Sequence, residues 1–276
     1  MKKNWCYFNG KITTIDKIKI SPYDIGLLRG YGVFDVMVAF NQNPFILEAH
    51  YKRLQNSAKE LKLKVPISQK DYRKIIEKLI QKNGYKDSTI RTILTGGKSP
   101  DAFSIGNPTF FILIEKFHHY PEAIYQKGAK VITLEFERYR PKAKITNYVE
   151  AIRNQDIKKK QKALEIVFVK EGKVLEASTS NIFLCNNRTL ITTKERILLG
   201  TTRNLVIELA EKNGFKVEQR EIKEAELLKS QEVFLTATNK NIVPIVNVDG
   251  KKIGNGKVGE KTQELMNILA QFIKNY

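Results

Sequence analysis

Gly200-Thr201-Thr202 stands at the mouth of an amphipathic run, LLGTTRNLVIELAEKNGF, and is the clearest place in this sequence to hold an anion. The unpaired amides of a helix's first turn, the positive end of its dipole and two hydroxyls would together cradle a phosphate. The same residues also read as an ordinary helix start, a glycine followed by threonine. Thr236-Ala237-Thr238-Asn239, at the end of the apolar run EVFLTAT, offers a second turn of small residues that could approach an anion. Nucleophilic triads find no support. There is no GxSxG elbow, His118 and His119 sit in a stretch interrupted by proline, and His50 lies at a helix start. Neither a GxGxxG followed by an acid nor a GxxxxGK[ST] loop occurs, so nucleotide and hydride chemistry lack a cradle. With 2 cysteines and 3 histidines, ligands for zinc are few and no metal is expected. What remains is lysine chemistry, since a lysine amine forms a Schiff base with an aldehyde or ketone, but 37 lysines do not single one out.

These groups need a scaffold, and 276 residues make one large domain or two of ordinary size, at roughly 100–200 residues each. Apolar residues at 42%, charged residues at 28% and a mean hydropathy of -0.35 describe a folded chain rather than a disordered one. No window approaches the roughly 18 apolar residues of a membrane span, and MKKNWCYFNGKITTID lacks the apolar run of a signal peptide. A cytoplasmic protein with no membrane partner is the expectation. The formal net charge of +19 raises a different class of function, a basic nucleic-acid-binding protein. Its distribution argues against that. The longest basic run, Lys158-Lys159-Lys160-Gln161-Lys162, is short, the remaining lysines are scattered over amphipathic segments, and the arginine forks that read bases are scarce. No specific nucleic-acid partner is expected.

Patterning along the chain builds a sheet early. Asn9-Gly10 marks a hairpin within WCYFNGKITTI, and a polar turn from Asn41 to Pro44 marks another within VFDVMVAFNQNPFIL. Helical spacing follows from Glu48 and again from about Ser68 to Gln81, then strands at TIRTILTGG and PTFFILIEKF. FHHYPEA reads as a linker. Beyond it come a strand GAKVITLEF, a basic turn-rich stretch RYRPKAKITNY, a helix from about Asn147 to Lys162 and a meander of short strands. A helix entered through Gly200 and closed by Gly214, late strands EVFLTAT and IVPIVNVDGKKI, and a terminal helix from about Gly259 to Ile273 complete the chain. Strands cluster in runs instead of alternating strictly with helices, which argues for α+β over a doubly wound sheet.

Eight blocks occur in the order found in one known family: FNGK at 8 to 11, RGYGVFD at 29 to 35, EAHYKRL at 48 to 54, IRTILTGG at 90 to 97, KITNY at 144 to 148, VLEASTSNIF at 174 to 183, LLGTTR at 198 to 203 and TATNKNIVPI at 236 to 245. The sequence thereby resembles the class IV, fold-type IV pyridoxal-phosphate aminotransferases, a group holding D-amino acid and branched-chain aminotransferases and aminodeoxychorismate lyases. The resemblance implies a two-domain α+β/α/β architecture, with an N-terminal domain over 1–117, a linker over 118–123 and a C-terminal domain over 124–276, and with pyridoxal 5'-phosphate between the domains. It implies a homodimer in which residues near Arg29 and Lys98 to Phe103 face the neighbouring subunit's site.

Residue by residue, the resemblance makes Lys144 the lysine of the internal aldimine and the base of the transamination. It sets Glu176 against the pyridine nitrogen, where a carboxylate keeps that nitrogen protonated. Arg53, Thr201, Thr202 and Thr238 become the phosphate cup, and Arg29, Phe34, Arg91 and Ala237 lie on the substrate side. Arg29 departs from the family, which more often has an aromatic there, and reads either as a structural ion pair or as a carboxylate anchor. Arg91 reads either as a carboxylate binder or as a strand arginine paired to an acid. The expected reaction is amino transfer between an amino acid and a 2-oxo acid. The short AFNQNPFIL segment, Arg29, the LTGGKSPD loop and TATNK look closer to enzymes of small D-amino acids such as D-alanine or D-glutamate, with 2-oxoglutarate as acceptor. L-branched-chain transamination and aminodeoxychorismate lysis are the alternatives.

Overall fold

The computed structural model describes residues 4–276, so the first three residues of the expected N-terminal domain lie outside it. The chain divides into two compact units: one runs to His118 and takes in Lys142–Tyr148, the other holds His119–Pro141 and Val149–Tyr276.

In the first unit, strands β1 (Trp5–Phe8), β2 (Lys11–Thr14), β3 (Gly32–Phe40), β4 (Asn43–Pro44), β5 (Ser88–Thr95) and β6 (Phe110–Lys116) form an antiparallel sheet in the order β2-β1-β6-β5-β3-β4. Both expected hairpins are tight. Asn9 and Gly10 take φ of 42° and 92°, Asn41 and Gln42 take 48° and 66°, and this left-handed pair matches the twist of the strands it joins. Helices α1 (Ile25–Arg29), α2 (Leu47–Glu60) and α3 (Gln69–Asn83) complete the unit. Along β5 the side chains of Ser88, Ile90, Thr92 and Leu94 are buried and their neighbours half-buried, the period of a strand covered on one face. Leu47, Tyr51, Leu54 and Ala58 of α2 and Tyr72, Ile76 and Leu79 of α3 share one core with Met37, Ile90 and Ile112 of the sheet. The sequence pattern does not announce α1. Its cap, Asp24, is built from distant residues, accepting from Gly26 N at 2.7 Å and from the hydroxyls of Thr95 and Thr109.

One segment departs from the expected domain division. Lys142–Tyr148, assigned by sequence to the C-terminal domain, packs with the first unit because its backbone completes the edge of β3. Phe34 N donates to Lys144 O at 2.9 Å, Thr146 N to Gly32 O at 3.0 Å, and Val33 bridges Ile145. Lys144 N donates to Ser57 Oγ of α2 at 3.0 Å, and Ala143 and Ile145 are buried in the core. The division itself falls between His118 and His119, inside the expected linker.

In the second unit, β7 (Ala129–Glu135), β8 (Glu165–Lys170), β9 (Lys173–Ala177), β10 (Asn181–Asn186), β11 (Thr189–Thr192), β12 (Lys216–Gln219), β13 (Ile222–Lys223), β14 (Glu232–Ala237) and β15 (Asn241–Val248) form a mixed sheet in the order β12-β11-β10-β14-β15-β7-β8-β9-β13, and β16 (Lys251–Lys252) pairs with β15. β7 runs parallel to β8 and β15, and β11 parallel to β12. The runs EIVFVK in β8 and NIFLCN in β10 are buried almost throughout, as strands covered on both faces must be. Val131, Val167, Leu184, Val233 and Val243 form the core of one face, and Phe183 stacks on Phe234 at 4.9 Å. The helices are α4 (Ala123–Gln126), α5 (Val149–Arg153), α6 (Gln155–Lys160), α7 (Thr201–Lys212), α8 (Glu224–Lys229) and α9 (Glu260–Asn275). The single helix expected from about Asn147 to Lys162 is two short ones, divided at Asn154, whose side-chain amide turns back to Glu150 O at 2.8 Å.

Ser57, fully buried, is the side-chain acceptor for the Lys144 amide. Ser57→Ala leaves that amide unpaired, and a loss of about 1–2 kcal/mol in urea-unfolding free energy is expected. Unchanged stability would show that the amide finds another acceptor.

Candidate active site

In the first unit, Lys144 is held through its backbone at both ends of the residue, by Ser57 and by Phe34. Its Nζ lies over the Phe34 ring, 4.6 Å from the centroid, and Phe34 meets Tyr148 edge-on at 5.5 Å. The amine that sequence alone could not select is thus set against an aromatic face. Nearby sits a buried charge cluster. Arg53, on α2, donates from Nε to Asp35 Oδ2 at 2.7 Å and from Nη2 to Asp35 Oδ1 at 3.0 Å, while His50 Nδ1 stands 2.6 Å from Asp35 Oδ1. Burial lowers the His50 pKa, and the Arg53 and Lys144 charges add to that against the pull of Asp35. A carboxylate oxygen can only accept, so the contact at 2.6 Å has Nδ1 donating to Asp35. Burial by itself would raise the Asp35 carboxyl, but the Arg53 guanidinium and the hydrogen bonds outweigh it and hold the pKa at about 2. Arg53 Nη1 makes no hydrogen bond among the described residues, so one edge of a rigidly held guanidinium is available to an anion.

The two candidate carboxylate binders of this unit differ. Arg91 pairs with Glu115 at 3.2 Å on the half-exposed face of the sheet. Arg29, at the end of α1, is exposed, donates to Leu28 O at 3.1 Å and stacks at 4.8 Å on Phe103, and it has no acidic partner among the described residues. The loop carrying Phe103 is shaped by Asp101, which accepts from Phe103 N, Ser104 N and the hydroxyls of Ser99 and Ser104.

In the second unit, Glu176 on β9 is 5% exposed. Arg138 Nε donates to its Oε1 at 2.7 Å and Leu198 N to its Oε2 at 3.1 Å, while Arg138 Nη2 is tied to Pro141 O. Both oxygens of this buried carboxyl are thus held, one by a guanidinium and one by a backbone amide. At the mouth of α7, Gly200 is the cap residue and no side chain caps the helix. Thr201 and Thr202 are buried there. Asn181 brackets this mouth, accepting from Gly200 N at 3.2 Å and donating to Leu198 O at 2.8 Å. A Cβ on Gly200 would fall 2.2 Å from Asn181 Oδ1, so a larger residue would displace the Asn181 side chain from its bond with Gly200 N. Directly across the β10–β14 ladder from Asn181 lies Thr236, whose buried hydroxyl has no partner. Ala237 ends β14 and Thr238 is in the turn that follows.

The structure thus brings Lys144 and Phe34 together with the Arg53 cluster in one unit, and gathers Glu176 and the mouth of α7 in the other. Sequence reasoning missed Asp35, His50 and Arg138. Asp35 and Arg53 are 18 residues apart, Arg138 and Glu176 are 38 apart, and no local spacing links them. Among the described residues no group of three or more His, Cys, Asp or Glu could hold a metal ion, and no helix is long and apolar enough to cross a membrane.

Residues 32–248 match the amino-transferase class IV family. A putative branched-chain-amino-acid aminotransferase of Methanocaldococcus jannaschii is 31% identical over 271 residues, covering 94% of this chain and 93% of that one. The D-alanine aminotransferase of Bacillus licheniformis is 28% identical over 275 residues, 96% of each. Among solved structures, the T.th. branched-chain amino acid aminotransferase with pyridoxamine 5'-phosphate superposes with a TM-score of 0.91 at 26% identity, covering 99% of this chain and 95% of that one. The chain belongs to the class IV aminotransferases, and its cofactor is pyridoxal 5'-phosphate. Its residues fit that group. The start of α7, with no side-chain cap, the close approach of Asn181 to Gly200 and a Thr236 hydroxyl with no partner among the described residues suit a phosphate, and the buried Glu176 suits a cationic ring nitrogen.

The Asp35 carboxyl is held below its ordinary value of 3.8, so its contribution to stability is complete above about pH 4 and is lost as pH falls through 2. Asp35→Asn, measured by urea unfolding from pH 7 to pH 2, is expected to cost about 3 kcal/mol at pH 7 and to flatten the fall of stability below pH 4. A slope as steep as that of the wild type would show that Asp35 titrates normally.

Proposed function

We propose that this chain transfers an amino group between a small D-amino acid, such as D-alanine or D-glutamate, and a 2-oxo acid such as 2-oxoglutarate, with Lys144 as the covalent anchor of the cofactor. Arg53, Thr201, Thr202 and Thr238 would hold the phosphate, and Glu176, held in place by Arg138, would face the ring nitrogen. When bound, the cofactor supplies an electron sink for the substrate's α-carbanion. The Lys144 amine, when free, would take the proton from the substrate α-carbon and return one, a task suited to an amine whose backbone is fixed on both sides. Phe34, Arg91 and Ala237 border the substrate, and Phe34 lies under the amine that moves the proton.

The observation that carries the substrate assignment is the contrast between the two arginines. Arg91 is neutralised by Glu115, whereas Arg29 has its guanidinium against an aromatic ring and no acid. A guanidinium so placed binds a carboxylate through paired donors. The two-residue turn at Asn41-Gln42 and the likeness to D-alanine aminotransferases support the D-specific reading. The likeness to branched-chain aminotransferases favours a second one, transamination of L-branched-chain amino acids by the same residues. A homodimer accompanies either reading, supported by the apolar side chains of Tyr23, Leu27, Phe103 and Ile105 exposed near Arg29. Sedimentation is expected to give a dimer, and a stable, fully active monomer would contradict this.

The test is a set of half-reactions on the cofactor-loaded protein, with D-alanine, D-glutamate, L-leucine and L-isoleucine added in turn and the visible cofactor absorbance followed. Bleaching by the D-amino acids, with KM raised about tenfold or more in Arg29→Ala, is expected. Bleaching by L-leucine alone, undiminished in Arg29→Ala, would overturn both the substrate and the anchor. Release of pyruvate from aminodeoxychorismate with no amino transfer would replace transamination by lysis. Lys144→Ala is expected to lose turnover by several orders of magnitude, and turnover equal to the wild type would contradict the assignment of Lys144.

A further inference from the structure

A buried ion pair in the second unit has no place in the chemistry above. Glu165, the first residue of β8, and Lys240, at the close of the turn after β14, are each 3% exposed. Lys240 Nζ donates to Glu165 Oε1 and, at 2.8 Å, to Thr179 Oγ1. Glu165 also accepts from Ser178 Oγ at 2.9 Å, from Thr179 N at 2.8 Å, from Thr179 Oγ1 at 2.9 Å and from Ser180 Oγ. Burial would raise its carboxyl, yet the Lys240 charge and these donors hold it at about 2.

An apolar pair of similar volume would join β8 to this turn at less cost in desolvation, so stability alone does not account for the charges. What they grip is informative. The Ser178–Ser180 turn begins two residues after Glu176, and Ser180 directly precedes Asn181, the residue that brackets Leu198 and Gly200 at the mouth of α7. Lys240 closes the turn that bears Thr238, its own amide donating to Ala237 O at 3.2 Å. One ion pair therefore joins the segment carrying Glu176 and Asn181 to the distant turn carrying Thr238.

We propose that Glu165 and Lys240 are positioning residues for the cofactor: they touch neither cofactor nor substrate, and they lock the turns at 178–180 and 237–240 so that the phosphate donors stand preorganised relative to Glu176. This rests on the cofactor assignment made above. Preorganised donors bind an anion without the ordering cost that loose turns would add.

The test uses the double variant Glu165→Gln/Lys240→Met, which removes both charges together and strands neither. Its melting temperature is expected to stay close to that of the wild type. Apo-protein is titrated with pyridoxamine 5'-phosphate, whose binding needs no bond to Lys144, and the phosphorus NMR shift of the bound ligand is recorded. About tenfold weaker binding with a displaced phosphorus resonance is expected, the scale at which residues behind a first layer of ligands act. Wild-type affinity and an unmoved resonance in a folded double variant would overturn the inference. Should the double variant not fold, Thr179→Val, which removes from an exposed residue the hydroxyl bridging the pair, carries the same test: about threefold weaker binding is expected, and unchanged binding overturns it. Failure of the wild type itself to bind pyridoxamine 5'-phosphate would refute the cofactor assignment instead.

Discussion

An ionised carboxylate in a protein interior must be given a cation and enough hydrogen-bond donors to replace the water it has lost. This chain buries three such groups where the site residues lie: Asp35 against Arg53, Glu165 against Lys240, and Glu176 against Arg138. Each pairing is between residues that the chain brings together from a distance, so each fixes a tertiary relationship as well as a charge. Asp35 aims the guanidinium of Arg53, Glu176 joins β9 to the loop before α7 through Leu198 N, and Glu165 joins β8 to two turns. Within each unit, the placement of these side chains follows from satisfying their charges.

The same economy governs the neutral parts of the site. Lys144 has its amide satisfied by a buried serine and its carbonyl by β3, so its position is determined before its amine does any chemistry. At α7 the opposite device is used. No side chain caps the helix, Asn181 spends its amide on the loop that precedes it, and a buried threonine hydroxyl is left without a partner. A buried hydroxyl left unpaired is unfavourable unless something binds it, and this one lies across the ladder from Asn181, which brackets a helix start whose dipole favours an anion.

How far the sequence revealed this depended on the range of the interactions. The hairpins at Asn9-Gly10 and Asn41-Gln42, the helix opened by Gly200 and the helix capped at Ser68 were legible because their determinants are local turn and cap residues. Lys144, Glu176 and the threonines were singled out by motif order alone, because 37 lysines gave no compositional reason to choose one. The placement of Lys142–Tyr148 was not legible, because its backbone pairs with Gly32 and Phe34 more than 100 residues earlier. Arg138 and Lys240 escaped notice for the same reason: Arg138 sits in a turn-rich basic stretch and Lys240 in the turn between two strands, and each is distinguished only by the acid it meets in the fold. The break at Asn154 was missed because the periodicity on either side of it is helical.

The chemistry turns on one lysine being the covalent anchor. Its most direct measurement is borohydride reduction of the cofactor-loaded protein, which makes the lysine–cofactor bond permanent, followed by proteolysis and mass mapping of the modified peptide. A single modified residue, Lys144, is predicted, with the modification absent when reduction precedes addition of the cofactor. Modification at another lysine with Lys144 unmodified, or modification scattered over the surface lysines, would contradict it.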